Sequence, residues 1–600
     1  HALDGEFPLF LTKDARGRSL EEHMPQVFEE LCKYGNDARF LTKDELELDF
    51  TIDGKKLWLL DAAPARRSAR AAIKVLVDLV QDEIIDKKIA VKRVEPRIIT
   101  ELLHPQLSPL AESEVICRGV AASPGAATGQ IVFSSKMAQI LALKEKPSIL
   151  VKLETGPEDI RGMHFTKGVL TERGGMTSHA AVTARGLGLP CIVGANALKI
   201  DLKKKCIVTK SGQTFNECDF ITIDGTSGKV ISGKTELVEP AFDDGLKTFL
   251  SWAEQIANLT IRANADTPTD VTIARNFGAK GIGLCRTEQM FFEDDRLIVM
   301  REMIFADTNK ERKVALEQLL PMQRADFMKI FKIMDGFPVC IRLFDPPLHE
   351  FLPRERQEML ELAEALDLSV SKIVERTKEL SEFNPMLGMR GVRLGITLPE
   401  IYEMQVRAIF EATVLAQKSG MLIVPEIMVP LVSTQKEVEL VRVNIESTAN
   451  AVKSETGRDF EYKYGVMVET PRASLRAGDI AKSASFLSFG TNDLTQMTYG
   501  LSRDDAGRFM RDYVAKKVFN EDPFRTLDKD GVGELLLLAR DRGREQNPIL
   551  SLSVCGEHGG DPASIKFCCE AGFNYVSCSS FRVPIAILAA AHYELEKSKV

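Results

Sequence analysis

From about Leu259 onward, short apolar runs alternate with long segments of helical period, the pattern of repeated βα units. The runs cover 259–263, 281–285, 339–343, 422–427, 464–468, 486–489, 551–554 and 575–578. Their length and near-continuous apolar character suit strands buried on both faces. Eight of them in succession predict a closed (β/α)8 barrel with inserted helices; an open doubly wound sheet is the alternative. Many runs end in charged or polar residues, which gathers candidate chemistry at one mouth of such a barrel.

Ahead of these repeats the pattern changes twice. Residues 1–112 mix helical periodicity with one strand pair, 50–52 and 57–60, flanking the turn signal Asp53-Gly54. A basic stretch, Arg66-Arg67-Ser68-Ala69-Arg70, leads into an amphipathic helix over 71–84 and reads as a solvated helix start. A linker is expected near Leu103-His104-Pro105. From Gly119 the chain is rich in glycine and small residues, with β-rich segments at 130–133 and 148–151 and a hairpin from 221–225 and 228–230. These shifts give domains at 1–112, 113–240 and 241–600, the middle one bounded by flexible segments near Pro105 and Pro240.

Composition narrows the class without choosing a function. The 600 residues are 44% hydrophobic and 27% charged, as expected of a globular protein of several domains. A net charge of −8 argues against a nucleic-acid partner, although local arginine clusters can still hold a small anion. The 11 cysteines show no paired zinc-type spacing, and Cys568-Cys569 are adjacent, so buried thiols in a reducing compartment are expected. No run is long enough to span a bilayer and no signal peptide is visible, so the expectation is a soluble intracellular protein of cytoplasm or organelle lumen. The opening residue is His1, as in a processed or truncated product.

One string points to chemistry directly: Gly174-Gly175-Met176-Thr177-Ser178-His179-Ala180-Ala181-Val182-Thr183-Ala184-Arg185-Gly186. Two glycines free the backbone for a tight turn, hydroxyl residues sit where a helix would begin, and His179 falls in its first turn. The unpaired N–H groups and positive dipole end of a helix start suit a phosphoryl group. His179 there, with Arg185 six residues on, is placed to carry phosphate on a ring nitrogen.

The predicted strand ends supply a second set: Arg286, Arg342, Arg390, Glu469, Asp493 and Cys555. Three arginines can grip a phosphate and a carboxylate through paired N–H groups. Two carboxylates, Glu469 and Asp493, offer hard oxygen ligands to Mg²⁺. A cysteine across the ring can exchange a proton with carbon.

Taken in order, the glycine-rich histidine loop, Gly283-Leu284-Cys285-Arg286-Thr287-Glu288, the Asp345-Pro346-Pro347-Leu348-His349-Glu350-Phe351 string, Phe489-Gly490-Thr491-Asn492-Asp493 and Cys555-Gly556-Glu557-His558-Gly559-Gly560 resemble the pyruvate phosphate dikinase family of PEP-utilising enzymes. The likeness runs from about 115 to 593 and is looser before that. It implies an α/β protein: a small phosphohistidine swivelling domain, a C-terminal TIM barrel, and ahead of both a remnant of an ATP-grasp domain. It also implies His179 and Cys555 as catalytic residues and Mg²⁺ held by Glu469 and Asp493. PEP and pyruvate would be bound by Arg286, Arg342, Arg390, Glu469, Gly490, Thr491, Asn492 and Asp493. A homodimer through the barrel is implied as well. Gln289 and Met389 depart from the residues usual in the family.

The N-terminal stretch departs further. Where the family shows Gln-Thr-Arg, this chain reads Leu60-Asp61-Ala62-Ala63-Pro64-Ala65-Arg66-Arg67, and a family glutamate corresponds to Asp49. With no glycine-rich nucleotide loop and lysine ahead of it, the expectation is a PEP half-reaction without self-phosphorylation from ATP. A separate protein would then donate or accept the phosphoryl group. The alternatives are an idle scaffold of the same family, or a phosphotransferase-system enzyme I or PEP synthase.

Overall fold

The computed structural model describes residues 20–65, 67–108, 114–156, 159–176, 178–210, 212–238, 240, 242–292, 294–353, 356–506 and 509–598. Arg66 and Thr177 lie outside the described residues. The chain divides into two units: 1–106 with 238–258 and 587–600, and 107–237 with 259–586.

In the larger unit the eight apolar runs become eight parallel strands: β1 Thr260–Asn264, β2 Ile282–Arg286, β3 Val339–Arg342, β4 Pro425–Val429, β5 Lys463–Val468, β6 Phe486–Phe489, β7 Ser551–Val554 and β8 Tyr575–Ser579. Each pairs with the next and β8 returns to β1, so the barrel is closed and the open sheet is excluded. Leu284, Cys340, Met428, Met467, Phe486 and Cys555 fill part of its interior. Toward the amino ends of the strands, Arg262 pairs with Glu426 at 2.6 Å and lies 3.8 Å from the Tyr575 ring centroid. The fourth strand begins three residues later than its apolar run. Leu422 is exposed, its N–H capped by Asp335 Oδ1 at 2.8 Å, because pairing of Pro425 with Val339 sets the register.

The same unit carries an eight-stranded mixed sheet in the order Val115–Arg118, Lys229–Ser232, Phe220–Asp224, Ala126–Val132, Ser148–Lys152, Gly168–Thr171, Cys191–Val193, Val120–Ser123. Parallel pairing joins the four strands from Ala126–Val132 to Cys191–Val193; the rest is antiparallel. Apolar side chains cover both faces, and the helix His179–Leu187 packs on one of them through Ala180, Ala181 and Ala184.

In the smaller unit, the hairpin pairs Leu46–Asp53 with Lys56–Pro64 and so extends well beyond the predicted strand pair. Its two central turn residues are Gly54 and Lys55, both at positive φ, one place later than the Asp53-Gly54 signal. The amphipathic helix spans Ala69–Gln81, capped by the Ser68 hydroxyl, which accepts from Ala71 N. The basic stretch is thus a helix start, with Arg67 on Asp44 and Arg70 on Asp243. Asp49 and Asp61 face each other across the hairpin, and both are exposed. Among the described residues no helix is long and apolar enough to cross a membrane.

Candidate functional site

A cavity of about 1170 Å³ lies over the carboxyl ends of the barrel strands and reaches the histidine loop. Each strand delivers its polar residue as pairing stops. Arg286 and Arg342 are the last residues of β2 and β3, while Glu469 and Cys555 lie just past β5 and β7. After β6, Gly490 caps the helix Thr491–Tyr499, which sets Asn492 and Asp493 in its first turn. A Cβ at 490 would stand 2.8 Å from Glu469 Oε2, so only glycine lets the two segments approach.

The arginines are already engaged. Arg286 Nη1 meets Asp266 Oδ2 at 3.1 Å, and its backbone N–H donates to the same carboxylate. Arg342 bonds Glu288 and, at 3.1 Å, Asp345. Arg390 grips Asp345 at 2.5 Å and reaches Asp493 at 3.3 Å. Its loop is pressed home at Gly391, whose φ is 57° and where a Cβ would stand 2.7 Å from the Leu431 side chain.

Burial disfavours every charge here, and neighbours decide the outcome. The Asp345 carboxyl is held below its ordinary range by Arg390 and Arg342 in spite of burial. Burial opposes Arg342 too, yet Glu288, Asp345 and Glu469 raise it. Glu469 is pushed well above the carboxylate range, first by burial and then by Asp493 and Asp345. Its Oε1 accepts the Leu431 N–H at 2.6 Å, and Leu431 holds the unusual φ of 58°. The Cys555 thiol is pushed up to about 11, chiefly by burial.

This donor set fits a hard divalent cation. Asp493 and the buried Glu469 both line the cavity, and Asp493 and Asp345 add to the burial that raises Glu469. The share of that rise due to Asp493 would be relieved by a cation between the two carboxylates. Among the described residues no group of three or more His, Cys, Asp or Glu side chains is arranged to hold a metal. Two protein carboxylates would leave the other positions to substrate oxygens and water.

Across the cavity, His179 opens the helix His179–Leu187. Gly174 has φ 108°, and Ser178, the N-cap, makes no side-chain cap bond; its hydroxyl is a buried polar atom without a partner among the described residues. Thr183 Oγ1 lies 3.5 Å from His179 Nε2, one turn away. Arg185 does not stand beside that ring. Six residues on, it points elsewhere on the helix and is spent on the carbonyls of Met176 (2.9 Å) and Ala122 (3.0 Å) and on Glu557. This corrects the expectation that it sits with His179 to hold phosphate.

The structure brings His179, Arg286, Arg342, Arg390, Glu469, Gly490, Asn492, Asp493 and Cys555 onto one wall system. Thr491 is fully buried beneath it, its hydroxyl 2.8 Å from His558 Nδ1. His558 Nε2 faces the Pro523 carbonyl at 2.9 Å, so that nitrogen carries the proton and Nδ1 accepts from Thr491; burial lowers the His558 pKa. Gln289 lines the cavity, whereas Met389 is largely exposed outside it. Sequence reasoning missed Glu288 and Asp345, although they follow Arg286 and Arg342 closely in the chain; a carboxylate beside a strand-end arginine was the available signal. It also missed Arg173, an exposed guanidinium on the cavity wall just before the glycines that no described residue engages.

Comparison with known proteins agrees with this architecture. Residues 242–595 match the model of the PEP-utilising enzyme, PEP-binding domain, and 144–228 that of the PEP-utilising enzyme, mobile domain. The chain is 51% identical over 584 residues to pyruvate, phosphate dikinase of Rhizobium meliloti, covering 97% of this chain and 65% of that protein. It is 48% identical over 577 residues to the chloroplastic pyruvate, phosphate dikinase 1 of Arabidopsis thaliana, covering 96% of this chain and 60% of the relative. Pyruvate, phosphate dikinase 2 of Zea mays is 47% identical over 578 residues, with 96% and 65% covered. The chain thus spans less than two thirds of the length of these relatives. On the match over its barrel, the chain belongs to the PEP-utilising enzymes.

Proposed function

We propose that this chain transfers a phosphoryl group between PEP and His179, with pyruvate as the other product. The observation that carries the reading is the single cavity bounded by His179 on one side and by three arginines, two carboxylates and Cys555 on the other. PEP presents a carboxylate, a phosphate and a methylene carbon, and each has a chemically matched partner there.

In this reading Arg286, Arg342 and Arg390 grip the phosphoryl and carboxylate oxygens, and Asn492 adds an amide contact. Their pairing with Asp266, Glu288 and Asp345 fixes the guanidinium planes before substrate arrives, which lowers the reorganisation cost during charge transfer. Glu469 and Asp493 would hold Mg²⁺, whose charge would offset that of the phosphoryl oxygens. A ring nitrogen of His179 attacks phosphorus as the bond to the enol oxygen breaks, and the electron pair leaves with enolpyruvate. The helix start, with its N–H groups and positive dipole end, then faces the new phosphate. Cys555, kept protonated by its raised pKa, gives its proton to the methylene carbon and forms the methyl group of pyruvate.

The test is incubation of the full chain with phosphorus-labelled PEP and Mg²⁺, with His179→Ala as control. Label on His179 and release of pyruvate, both abolished by a chelator, are expected. Failure of wild-type protein to take up label at any Mg²⁺ concentration would refute the reading.

A further inference from the structure

We propose that Arg185 and Glu557 form a docking pin that seats the histidine helix on the barrel and sets His179 over the cavity. The proposal rests on the phosphotransfer reading and names positioning residues within it. Arg185 is buried at 8% exposure and belongs to the helix that His179 opens. Its Nη1 donates to Met176 O at 2.9 Å and to Ala122 O at 3.0 Å, so the guanidinium is fixed to the histidine loop and to the sheet beneath it. Its remaining reach goes across to the barrel, where Nε lies 3.3 Å from Glu557 Oε2.

Glu557 is equally tied to its own side. It stands two residues after Cys555, and its backbone N–H donates to Asn492 Oδ1 at 3.0 Å. The pair therefore joins the segment that carries His179 to the segment that carries Cys555 and braces Asn492. Burial works against the Glu557 charge, yet Arg185, Arg582, Arg503 and Arg286 together hold its carboxyl at about 2, so Glu557 is charged at neutral pH. At the other end of the same helix, Gly188 lies against Phe581: a Cβ there would stand 2.1 Å from the ring. Ion pair and ring contact fix two points of one helix, which is what a defined seating requires. A charge pair of this kind favours one register over others and is weakened by salt.

Two reactions separate seating from barrel chemistry. Transfer of phosphate from PEP to His179 needs the helix seated, whereas exchange of pyruvate methyl protons with D₂O uses groups of the barrel alone. Glu557→Gln keeps size and the backbone donor and removes the charge. It is expected to slow single-turnover labelling of His179 about 10–100-fold, to change methyl-proton exchange less than about twofold, and to lessen the slowing of transfer by added KCl. Gly188→Ala, which drives a methyl into Phe581, should likewise depress transfer and spare exchange, and it serves if the first variant folds poorly. Wild-type transfer rates in both variants would overturn the pin. Equal loss of transfer and exchange would also overturn it, by making Glu557 part of the barrel chemistry. Absence of label on wild-type His179 would instead defeat the underlying functional reading.

Discussion

The barrel mouth and the histidine loop face one cavity but are built on opposite principles. At the mouth Arg286, Arg342 and Arg390 are bonded to carboxylates in advance, Arg286 to Asp266, Arg342 to Glu288 and Asp345, Arg390 to Asp345 and Asp493. On the loop, no described residue partners the Ser178 hydroxyl or engages the exposed Arg173 guanidinium. Prepaid charge networks give fixed geometry at the cost of coupling function to folding, because removing one member strands its partner in a dry site. Unengaged groups carry no such coupling. In the proposed function the mouth must hold one geometry through a bond rearrangement, whereas the loop must receive phosphate and give it up again.

The sharpest way to break this comparison is at Cys555. Cys555→Ala should reduce exchange of pyruvate methyl protons with D₂O by about 10²–10⁴-fold, the range of general acid–base catalysis, while His179 still accepts label from PEP. Proton NMR of pyruvate checks the first and autoradiography the second; unimpaired exchange would remove Cys555 from the chemistry. Next in size, Arg342→Met should lower transfer and exchange together by about 10²–10³-fold, as loss of a preorganised charge donor does. Because it leaves buried Glu288 and Asp345 short of a partner, it should also destabilise the barrel by about 3–5 kcal/mol in denaturant titration. Arg173→Gln offers the contrast on the loop side. About tenfold slower labelling of His179 is expected, in line with one charge-assisted hydrogen bond, with the unfolding midpoint unchanged because no folded-state partner is stranded. A fall in stability equal to that of Arg342→Met would collapse the distinction between the two regions.

The smallest effect concerns pH. Burial raises the Cys555 thiol from 9.0 to about 11, so the folded state holds this proton more tightly than the unfolded chain. Its contribution to stability is therefore whole below pH 9 and is lost as pH rises toward 11. Comparing wild type with Cys555→Ala in urea across that range should show the difference between them changing in this direction only. Below pH 9 the difference should be flat.

Several features were legible because their cause is local. Apolar runs marked the strands since each is buried on both faces, and the positions where the runs stop marked Arg286, Arg342, Glu469 and Cys555. The glycines before His179 marked a turn into a helix because the backbone there needs a positive φ at Gly174. Where the cause was distant, the pattern misled or was silent. The run at 422–427 begins three residues early because strand register is set by Val339, far along the chain. Proximity in sequence pairs Arg185 with His179, but its partners are Ala122, Met176 and Glu557, the last 372 residues away.

The sequence by itself determined the order of elements, the number of barrel strands and the chemical types available at their ends, because burial and backbone conformation act within a few residues. Only the tertiary structure decided which arginine meets which carboxylate, that Thr491 turns down onto His558, and that His179 and Cys555 share one cavity. Ion pairs and cavities depend on side chains brought together by the closure of the barrel, and no spacing along the chain encodes that distance.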